Sequence, residues 1–328
     1  MLTLIITLIE TVYTFLWGDL ITLPLPGGGT LGLPLLVLLL IPTGLYFTFR
    51  TRFLPLRLFP DMIRATLEKR SHKNGGLSAL QALVVSTATR VGMGNLVGVV
   101  AAISAGGAGA VFWMWVTALI GSSTAFVEAT LAQLYKEKDP LYGGWRGGPA
   151  YYIEKALGKR WLGILFAVLL ILCFAFGFNG LQAFNATSAL EYYIPDYATN
   201  GTAIACGIVL AVMTAFVIFG GAKRISVITS IIVPIMAVGY IAIAVWTTLS
   251  NITELPGVFA MVFASAFDVQ AIFGGFAGSV VMLGIKRGLY SNEAGMGSAP
   301  NAAATASVSH PCKQGLVQSL SVYIDTLL

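Results

Sequence analysis

Charge is what this sequence has least of. Only 10% of its residues are Asp, Glu, Lys or Arg, against 57% hydrophobic residues and a mean hydropathy of +0.84. Soluble domains carry about 25% charged residues, so the composition excludes a water-soluble globule and marks an integral membrane protein. Histidine is almost missing: only His72 and His310 occur, both between apolar runs, and neither HExxH nor GxSxG is present. That scarcity argues against an intramembrane hydrolase, and no enzyme activity is expected. Cysteine is equally sparse. Cys173, Cys206 and Cys312 lie far apart without CxxC spacing, so nothing points to a disulfide framework, and the first two sit in apolar runs as inert thiols. The first 20 residues lack a basic n-region and a small-residue cleavage site, so no signal peptide is expected. No strand is expected before Gly27-Gly28-Gly29 and no lysine follows it, so a phosphate loop is not expected.

What is present is a series of apolar runs. They fall near 31–49, 78–104, 110–134, 161–186, 202–220, 226–249 and 256–285, and an eighth begins at about Gly315. The loops between them separate by charge. Arg50, Arg52, Arg57, Arg64, Lys69, Arg70 and Lys73 fall in one loop, and Lys136, Lys138, Arg146, Lys155, Lys159 and Arg160 in the next loop of the same side. Lys223 with Arg224, and then Lys286, Arg287 and Lys313, follow the same alternation. The opposite loops carry Glu191, Asp196 and Glu254 and no Lys or Arg. The positive-inside rule therefore puts the N-terminus outside, and it explains a pI near 9.1 without a nucleic-acid partner.

Residues 1–30 read as an amphipathic helix on the outer interface followed by a turn. Thr3, Thr7, Glu10, Thr11 and Thr14 recur at helical spacing opposite Leu4, Ile5, Leu8, Ile9 and Val12. At the other end, Gly315 to Leu328 is a 14-residue apolar run containing Asp325, where about 20 residues are needed to cross. The expectation is a chain whose second half is only begun.

One span should not stay helical. Ser86-Thr87-Ala88-Thr89-Arg90-Val91-Gly92-Met93-Gly94-Asn95-Leu96-Val97-Gly98 places two glycines, an asparagine and an arginine in the middle of an apolar run. Glycine weakens the helix there, and polar groups at membrane depth need protein or water partners. Discontinuous helices of this kind build midplane sites in secondary transporters, and a small-residue packing face is the plainer alternative. A second glycine-rich interruption, Gly274-Gly275-Phe276-Ala277-Gly278-Ser279, lies inside the run 256–285. Corresponding breaks in two halves point to a central site.

Several blocks carry a resemblance. Arg90-Val91-Gly92-Met93-Gly94-Asn95, Gly109-Ala110-Val111-Phe112-Trp113-Met114-Trp115, Val127-Glu128-Ala129-Thr130-Leu131-Ala132 and Arg146-Gly147-Gly148-Pro149-Ala150-Tyr151-Tyr152 occur in that order. With Arg287-Gly288-Leu289-Tyr290-Ser291-Asn292-Glu293-Ala294-Gly295-Met296-Gly297, they resemble the alanine-or-glycine:cation symporter family of the amino acid-polyamine-cation superfamily. The likeness runs from about Gly32 to the end. It implies an all-α membrane bundle of five-plus-five inverted repeats, like the bacterial leucine transporter, with one extra N-terminal helix. On that plan 31–49 is the extra helix, 78–249 is the first repeat of five helices and 256–328 opens the second. It also implies sodium-driven uptake of small neutral amino acids, alanine or glycine, across the cell inner membrane. Membrane lipid is then the other contact, with neither an organic cofactor nor a protein partner.

A zwitterion in a low-dielectric cavity needs partners for both of its charges. Free N–H groups at a half-helix N-terminus take the carboxylate, while freed carbonyls suit the ammonium and a hard cation. Gly92, Met93, Gly94 and Asn95 are assigned to this cradle, with Gly274, Gly275, Phe276 and Gly278 opposite, Phe276 as a lid or as packing. The resemblance adds Gln182 to the pocket and gives Thr89, Gly92 and Ser279 as ion-binding candidates. Asn179 shares a helix face with Gln182. Many family members carry threonine where this chain has Met93, so the side chain accepted is expected to differ. Glu128 reads as a structural partner of Arg90 or of a basic loop residue, or as the titrating group of a proton-coupled carrier. Arg90 is expected to point into the bundle or snorkel inward, Asp268 to be hydrated, and Ser291-Asn292 to cap a following helix. A channel or non-transporting sensor is the remaining class, although no pore-lining repeat or soluble domain is visible.

Overall fold

The computed structural model describes residues 2–24, 30–68, 76–92, 94–141, 143–268 and 280–327. In chain order these form α1 (Leu2–Trp17), β1 (Asp19–Pro24), β2 (Thr30–Pro34), α2 (Leu35–Arg50), α3 (Leu54–Arg57) and α4 (Phe59–Thr66). Then come α5 (Ala79–Arg90), a π-helical turn (Gly94–Gly98), α6 (Val99–Gly106) and α7 (Gly109–Leu134). A short ribbon of β3 (Glu137–Lys138) and β4 (Trp145–Arg146) precedes α8 (Pro149–Leu157). Next are α9 (Arg160–Leu172), a π-helical stretch (Cys173–Phe178), α10 (Asn179–Ser188), α11 (Thr202–Ile218), α12 (Gly221–Ser250) and α13 (Leu255–Phe267). The last three are α14 (Val280–Asn292), α15 (Ala299–Thr305) and α16 (Pro311–Leu327).

The molecule is mostly helical, and two short antiparallel ribbons depart from the all-helical expectation. The larger pairs Pro24 with Thr30 and Leu23 with Leu31, so the first five residues of the expected span 31–49 are largely strand. The reason is local: Pro24, Gly32 and Pro34 disfavour a helix, while the β-branched Ile21 and Thr22 suit an extended ribbon. The helix itself, α2, keeps 16 residues.

The bundle is organised around α7, which packs against α2, α13, α14, α15 and α16. Its buried face is built of small residues, Ala118, Gly121, Ser122, Ser123, Ala125, Ala129 and Ala132. Lipid supplies little hydrophobic drive for helix association, so close backbone approach and dispersion hold such helices together. Two glycines of neighbouring helices show how close. A Cβ on Gly284 of α14 would lie 2.5 Å from the Ala110 carbonyl oxygen, and one on Gly315 of α16 would lie 2.4 Å from Thr130 Oγ1. Ser319 Oγ donates to the Ser122 carbonyl at 2.8 Å, and Thr48 Oγ1 donates to Ser123 Oγ at 2.9 Å, so the apolar interfaces also carry hydrogen bonds.

Away from α7 the surfaces are apolar and uncovered. Ile235, Val238 and Trp246 of α12 are about two-thirds to three-quarters exposed, as are Ile204 and Phe216 of α11. Such a surface matches a hydrocarbon solvent. Among the described residues, Gly109–Leu134, Arg160–Tyr192 and Val227–Ser250 are long and apolar enough to cross a membrane, and the bent pair Ala79–Arg90 with Gly94–Gly106 makes a fourth. The apolar helices α2, α11 and α13 are shorter. At 1.5 Å per residue, the 16 residues of α2 span about 24 Å of a core about 30 Å thick.

Charged loops gather at one end of the bundle. Leu77 bridges to Ala306, Gln133 Nε2 donates to the Ala306 carbonyl at 2.9 Å, and Lys313 pairs with Glu68 at 2.8 Å. Glu137 pairs with Lys155 at 2.8 Å and Arg146 at 3.6 Å, and the hydrogen bond from Lys155 holds its carboxyl below the usual range. Burial brings the Lys136 ammonium down to about 8. That group donates to Gln133 Oε1 at 2.6 Å and to the Ala306 carbonyl at 2.8 Å, and lies 4.6 Å from the Trp145 ring centre.

Candidate functional site

The helix break begins with an ordinary helix. Ser78 and Gln81 form a capping box at the start of α5, Gln81 N donating to Ser78 Oγ at 3.1 Å and Ser78 N to Gln81 Oε1 at 2.9 Å. The helix runs to Arg90, and Val91 turns extended (φ −70°, ψ 104°). The chain resumes as the π-helical turn from Gly94, and the axes of the two halves differ by 55°. Asn95 N donates to the Gly92 carbonyl at 3.2 Å, closing a turn across the interruption. Breaking a helix here leaves carbonyls of α5 and N–H groups of the second half without intrahelical partners.

A cavity of about 340 Å³ opens beside that break. Thr87, Gly92 and Asn95 line it from the broken helix, Ser291 from α14, Asp325 from α16, and Met236 and Tyr240 from α12. Its remaining wall is largely apolar, including Val111, Met114 and Trp115 of α7. Convergent polar groups on an apolar wall are the usual form of a small-molecule site.

Hydrogen bonds tie the break to α16. Asn95 Nδ2 donates to Asp325 Oδ1 at 2.8 Å and to the Asp325 carbonyl at 2.7 Å. Asp325 Oδ2 accepts from Ser291 Oγ at 3.0 Å and from Thr326 Oγ1 at 3.0 Å. One turn earlier, Thr87 Oγ1 and Ser321 Oγ are 3.0 Å apart. On another side, the Gln182 amide lies over the break: a Cβ on Gly92 would be 2.3 Å from Gln182 Nε2. Gly94 faces the Tyr290 ring, 3.0 Å from such a Cβ, and Tyr290 stacks on Phe178, which stacks on Phe174.

Arg90 is 3% exposed and points into the bundle, where Nη1 is 3.5 Å from the Gln318 carbonyl. Among the described residues its Nε and Nη2 have no hydrogen-bond partner, nor do the side-chain amide atoms of Gln314 and Gln318. Glu128, Glu293 and Asp325 act on Arg90 electrostatically, yet no ion pair within 4.0 Å joins it to any of them among the described residues. Glu128 instead accepts from Gly295 N at 3.2 Å, and Glu293 accepts from Ser298 Oγ.

The expected residues divide as follows. Gly92 and Asn95 meet at the cavity, Gly94 is packed behind it, and Gln182 reaches Gly92 although the residue is exposed. Asn179 is exposed and does not line the cavity. Thr89 turns its hydroxyl to the Ser86 carbonyl at 2.7 Å. Met93, Gly274, Gly275, Phe276, Gly278 and Ser279 lie outside the described residues. Ser291 and Asn292 finish α14 rather than capping α15: Asn292 Oδ1 accepts from Ala294 N at 2.9 Å, and Ser291 is turned to Asp325. Asp268 is exposed. Asp325, Ser291 and the α12 wall were missing from the sequence-based site. An acid inside an apolar run was the available signal for Asp325, whereas nothing in the α12 sequence marks Tyr240 as a cavity residue.

The model of the sodium:alanine symporter family matches residues 27–328. An amino-acid carrier protein of Bacillus subtilis, AlsT, is 51% identical over 290 residues, covering 88% of this chain and 61% of that protein. A probable sodium/glutamine symporter of the same organism, GlnT, is 49% identical, covering 90% of this chain and 60% of that one. The sodium/alanine symporter AgcS of Methanococcus maripaludis is 37% identical over 98% of this chain and 68% of its own length. The chain spans about three-fifths of the length of the two Bacillus relatives.

Proposed function

We propose that this chain, which belongs to the sodium:alanine symporter family, is the core of a carrier that brings a small neutral amino acid into the cell with sodium. The observation that carries the reading is the helix break after Arg90 opening on a cavity of about 340 Å³, with the Gln182 amide over Gly92 and Asn95 on the wall. Backbone N–H groups of Gly92, Met93, Gly94 and Asn95 take the substrate carboxylate, those of Gly92 and Asn95 giving up their present partners, Asn95 Oδ1 and the Gly92 carbonyl, since no cationic side chain lines the cavity among the described residues. Gly274, Gly275, Phe276 and Gly278 are assigned to the same substrate site from the sequence pattern alone, and Thr89, Gly92 and Ser279 to cation binding. On this reading 78–249 is one five-helix repeat, 256 onward begins its inverted partner, and 31–49 stands outside both. The protein sits in the plasma membrane with its N-terminus outside, as the loop charges support.

Alanine and glycine are the first substrates to test. The name of GlnT and the methionine at position 93 make glutamine the next. The test is uptake of labelled alanine, glycine and glutamine into proteoliposomes, with sodium, choline or a proton gradient imposed outside. Saturable uptake only with sodium supports symport and makes Met93→Thr the selectivity variant. Uptake driven by protons in the absence of sodium overturns the coupling and turns attention to Glu128. No uptake by folded protein under any gradient overturns transport.

A further inference from the structure

The end of α2 breaks a local rule. Arg52 N donates to the Phe49 carbonyl at 3.0 Å and Phe53 N to the Thr48 carbonyl at 2.8 Å, and both residues are left-handed, Arg52 at φ 56° and Phe53 at φ 54°. Glycine is the usual residue where a helix stops this way, because a Cβ makes the conformation unfavourable. An arginine and a phenylalanine kept there against that preference point to a task for their side chains. Both are exposed, as are Arg50 and Arg57. None of these three arginines meets an acid within 4.0 Å among the described residues, and Asp61, the one acid of the stretch 50–67, pairs with Arg64.

Depth sharpens the question. α2 runs parallel to α7, with Gly44 against Ile120 and Thr48 bonded to Ser123. At 1.5 Å per residue, Ser123 lies about 16 Å short of the end of α7 at Leu134. The 26 residues of α7 make about 39 Å, roughly 9 Å more than a hydrocarbon core. The chain after α2 therefore turns at the hydrocarbon edge and not out in the aqueous loops. A guanidinium at that depth reaches for an anion. From the turn, α3 and α4 continue along α16, where Met62 and Ala65 are buried with Leu316, Val317 and Tyr323. Phe53, Leu56 and Ile63 stay about half exposed on the outward side. An anionic lipid matches this surface, since it offers phosphate oxygens and acyl chains in adjoining layers.

We propose that the elbow between α2 and α4 binds anionic lipid of the leaflet beside the charged loops, with Arg50, Arg52 and Arg57 on the headgroup phosphate and Phe53, Leu56 and Ile63 among the acyl chains. The inference rests on the membrane reading of the chain and is independent of the cargo and of the coupling ion. Because α4 packs on α16, whose Asp325 lines the cavity, lipid held at the elbow steadies one wall of that cavity.

The test is titration of the purified protein in detergent with phosphatidylglycerol or phosphatidylcholine, bound lipid being counted by native mass spectrometry. The unaltered protein is expected to retain phosphatidylglycerol in preference to phosphatidylcholine. One arginine near an anionic lipid surface contributes about fivefold in affinity. Arg52→Gly should therefore weaken phosphatidylglycerol binding about fivefold, and Arg52→Gly with Arg57→Gln about twentyfold. Glycine suits the left-handed backbone at 52, so the melting midpoint in phosphatidylcholine should be retained. Arg57→Gln alone keeps the test valid should Arg52→Gly fail to fold. Lys159→Gln, in another loop of the same side, is the control and should change binding by less than about twofold. No preference for phosphatidylglycerol in the unaltered protein overturns the proposal, and so does a preference that survives both arginine substitutions. An equal loss in Lys159→Gln overturns it in favour of diffuse loop charge. Inorganic phosphate raising the melting midpoint as far as phosphatidylglycerol does overturns it in favour of a free-anion site. Each of these outcomes leaves the symport reading standing, which the uptake assay decides separately.

Discussion

Replacing Gly92 by alanine separates the fold of the break from its function. The backbone tolerates the change, because Gly92 is not among the residues with positive φ. Space is the obstacle. The new methyl would lie 2.3 Å from Gln182 Nε2, and ordinary contact begins near 3.4 Å, so the amide must retreat by about 1.1 Å. That amide ends a flexible side chain of an exposed residue, and its displacement costs little stability. Alanine also removes conformational freedom from the unfolded chain, worth about 0.4–1 kcal/mol in the stabilising direction. The melting midpoint in detergent should therefore stay within about 2 °C of the unaltered protein. Transport should not survive so well. A shift of about 1 Å in a group that positions substrate can lower turnover on the order of a hundredfold, and a tenfold loss in amino-acid uptake at limiting substrate is the minimum expected. The control is the same substitution in a Gln182→Ala background, where the clash is gone and the further loss should be about twofold or less. Equal losses in both backgrounds would refute the link through Gln182, and so would uptake unchanged by Gly92→Ala.

Gly284→Ala should behave in the opposite way. Its methyl would meet the Ala110 carbonyl oxygen and Trp113 Cβ, both at 2.5 Å and both fixed to α7, so the helices must part. Overpacking of this kind costs about 1–3 kcal/mol, read as a melting midpoint lowered by several degrees, and an unchanged midpoint would contradict the packing. The Glu68–Lys313 pair predicts an acid effect. Burial opposes ionisation of Glu68, but Lys313 and Ser309 outweigh it and hold the carboxyl below its ordinary value. Its contribution is then present above the unfolded value and lost as pH falls through the folded one. Lys313→Met should cost about 0.5 kcal/mol at pH 7 and nothing once Glu68 is protonated, measured by denaturation at the two pH values. Lys136, brought down to about 8 by burial, should lose its proton before surface lysines do. Amine labelling followed by mass spectrometry should show its reactivity, relative to an exposed lysine, rising near pH 8, and a profile parallel to that of Lys159 would contradict the burial.

Asp325 shows why the site was only half legible. Gly92 and Asn95 stand out in the sequence because glycine and amide groups break a local rule inside an apolar run. Asp325 breaks the same rule, but its meaning depends on α16 lying beside the broken helix, 230 residues away along the chain. Ser291 likewise reads as a helix cap from its neighbours and as a carboxylate partner only from its surroundings. Glu128 and Arg90 look like an ion pair in the sequence, yet backbone geometry gives Glu128 the Gly295 amide instead.

By itself the sequence determined the solvent of this protein, its family and the place where its helix breaks. Those follow from hydropathy, ordered motif blocks and backbone propensity, which are properties of short stretches of chain. Only the tertiary structure decided which side chains share the cavity and which buried charges lack a partner. It also decided that the chain before α2 forms a ribbon. Packing brings distant segments within hydrogen-bond reach, and no local pattern encodes which segments those are.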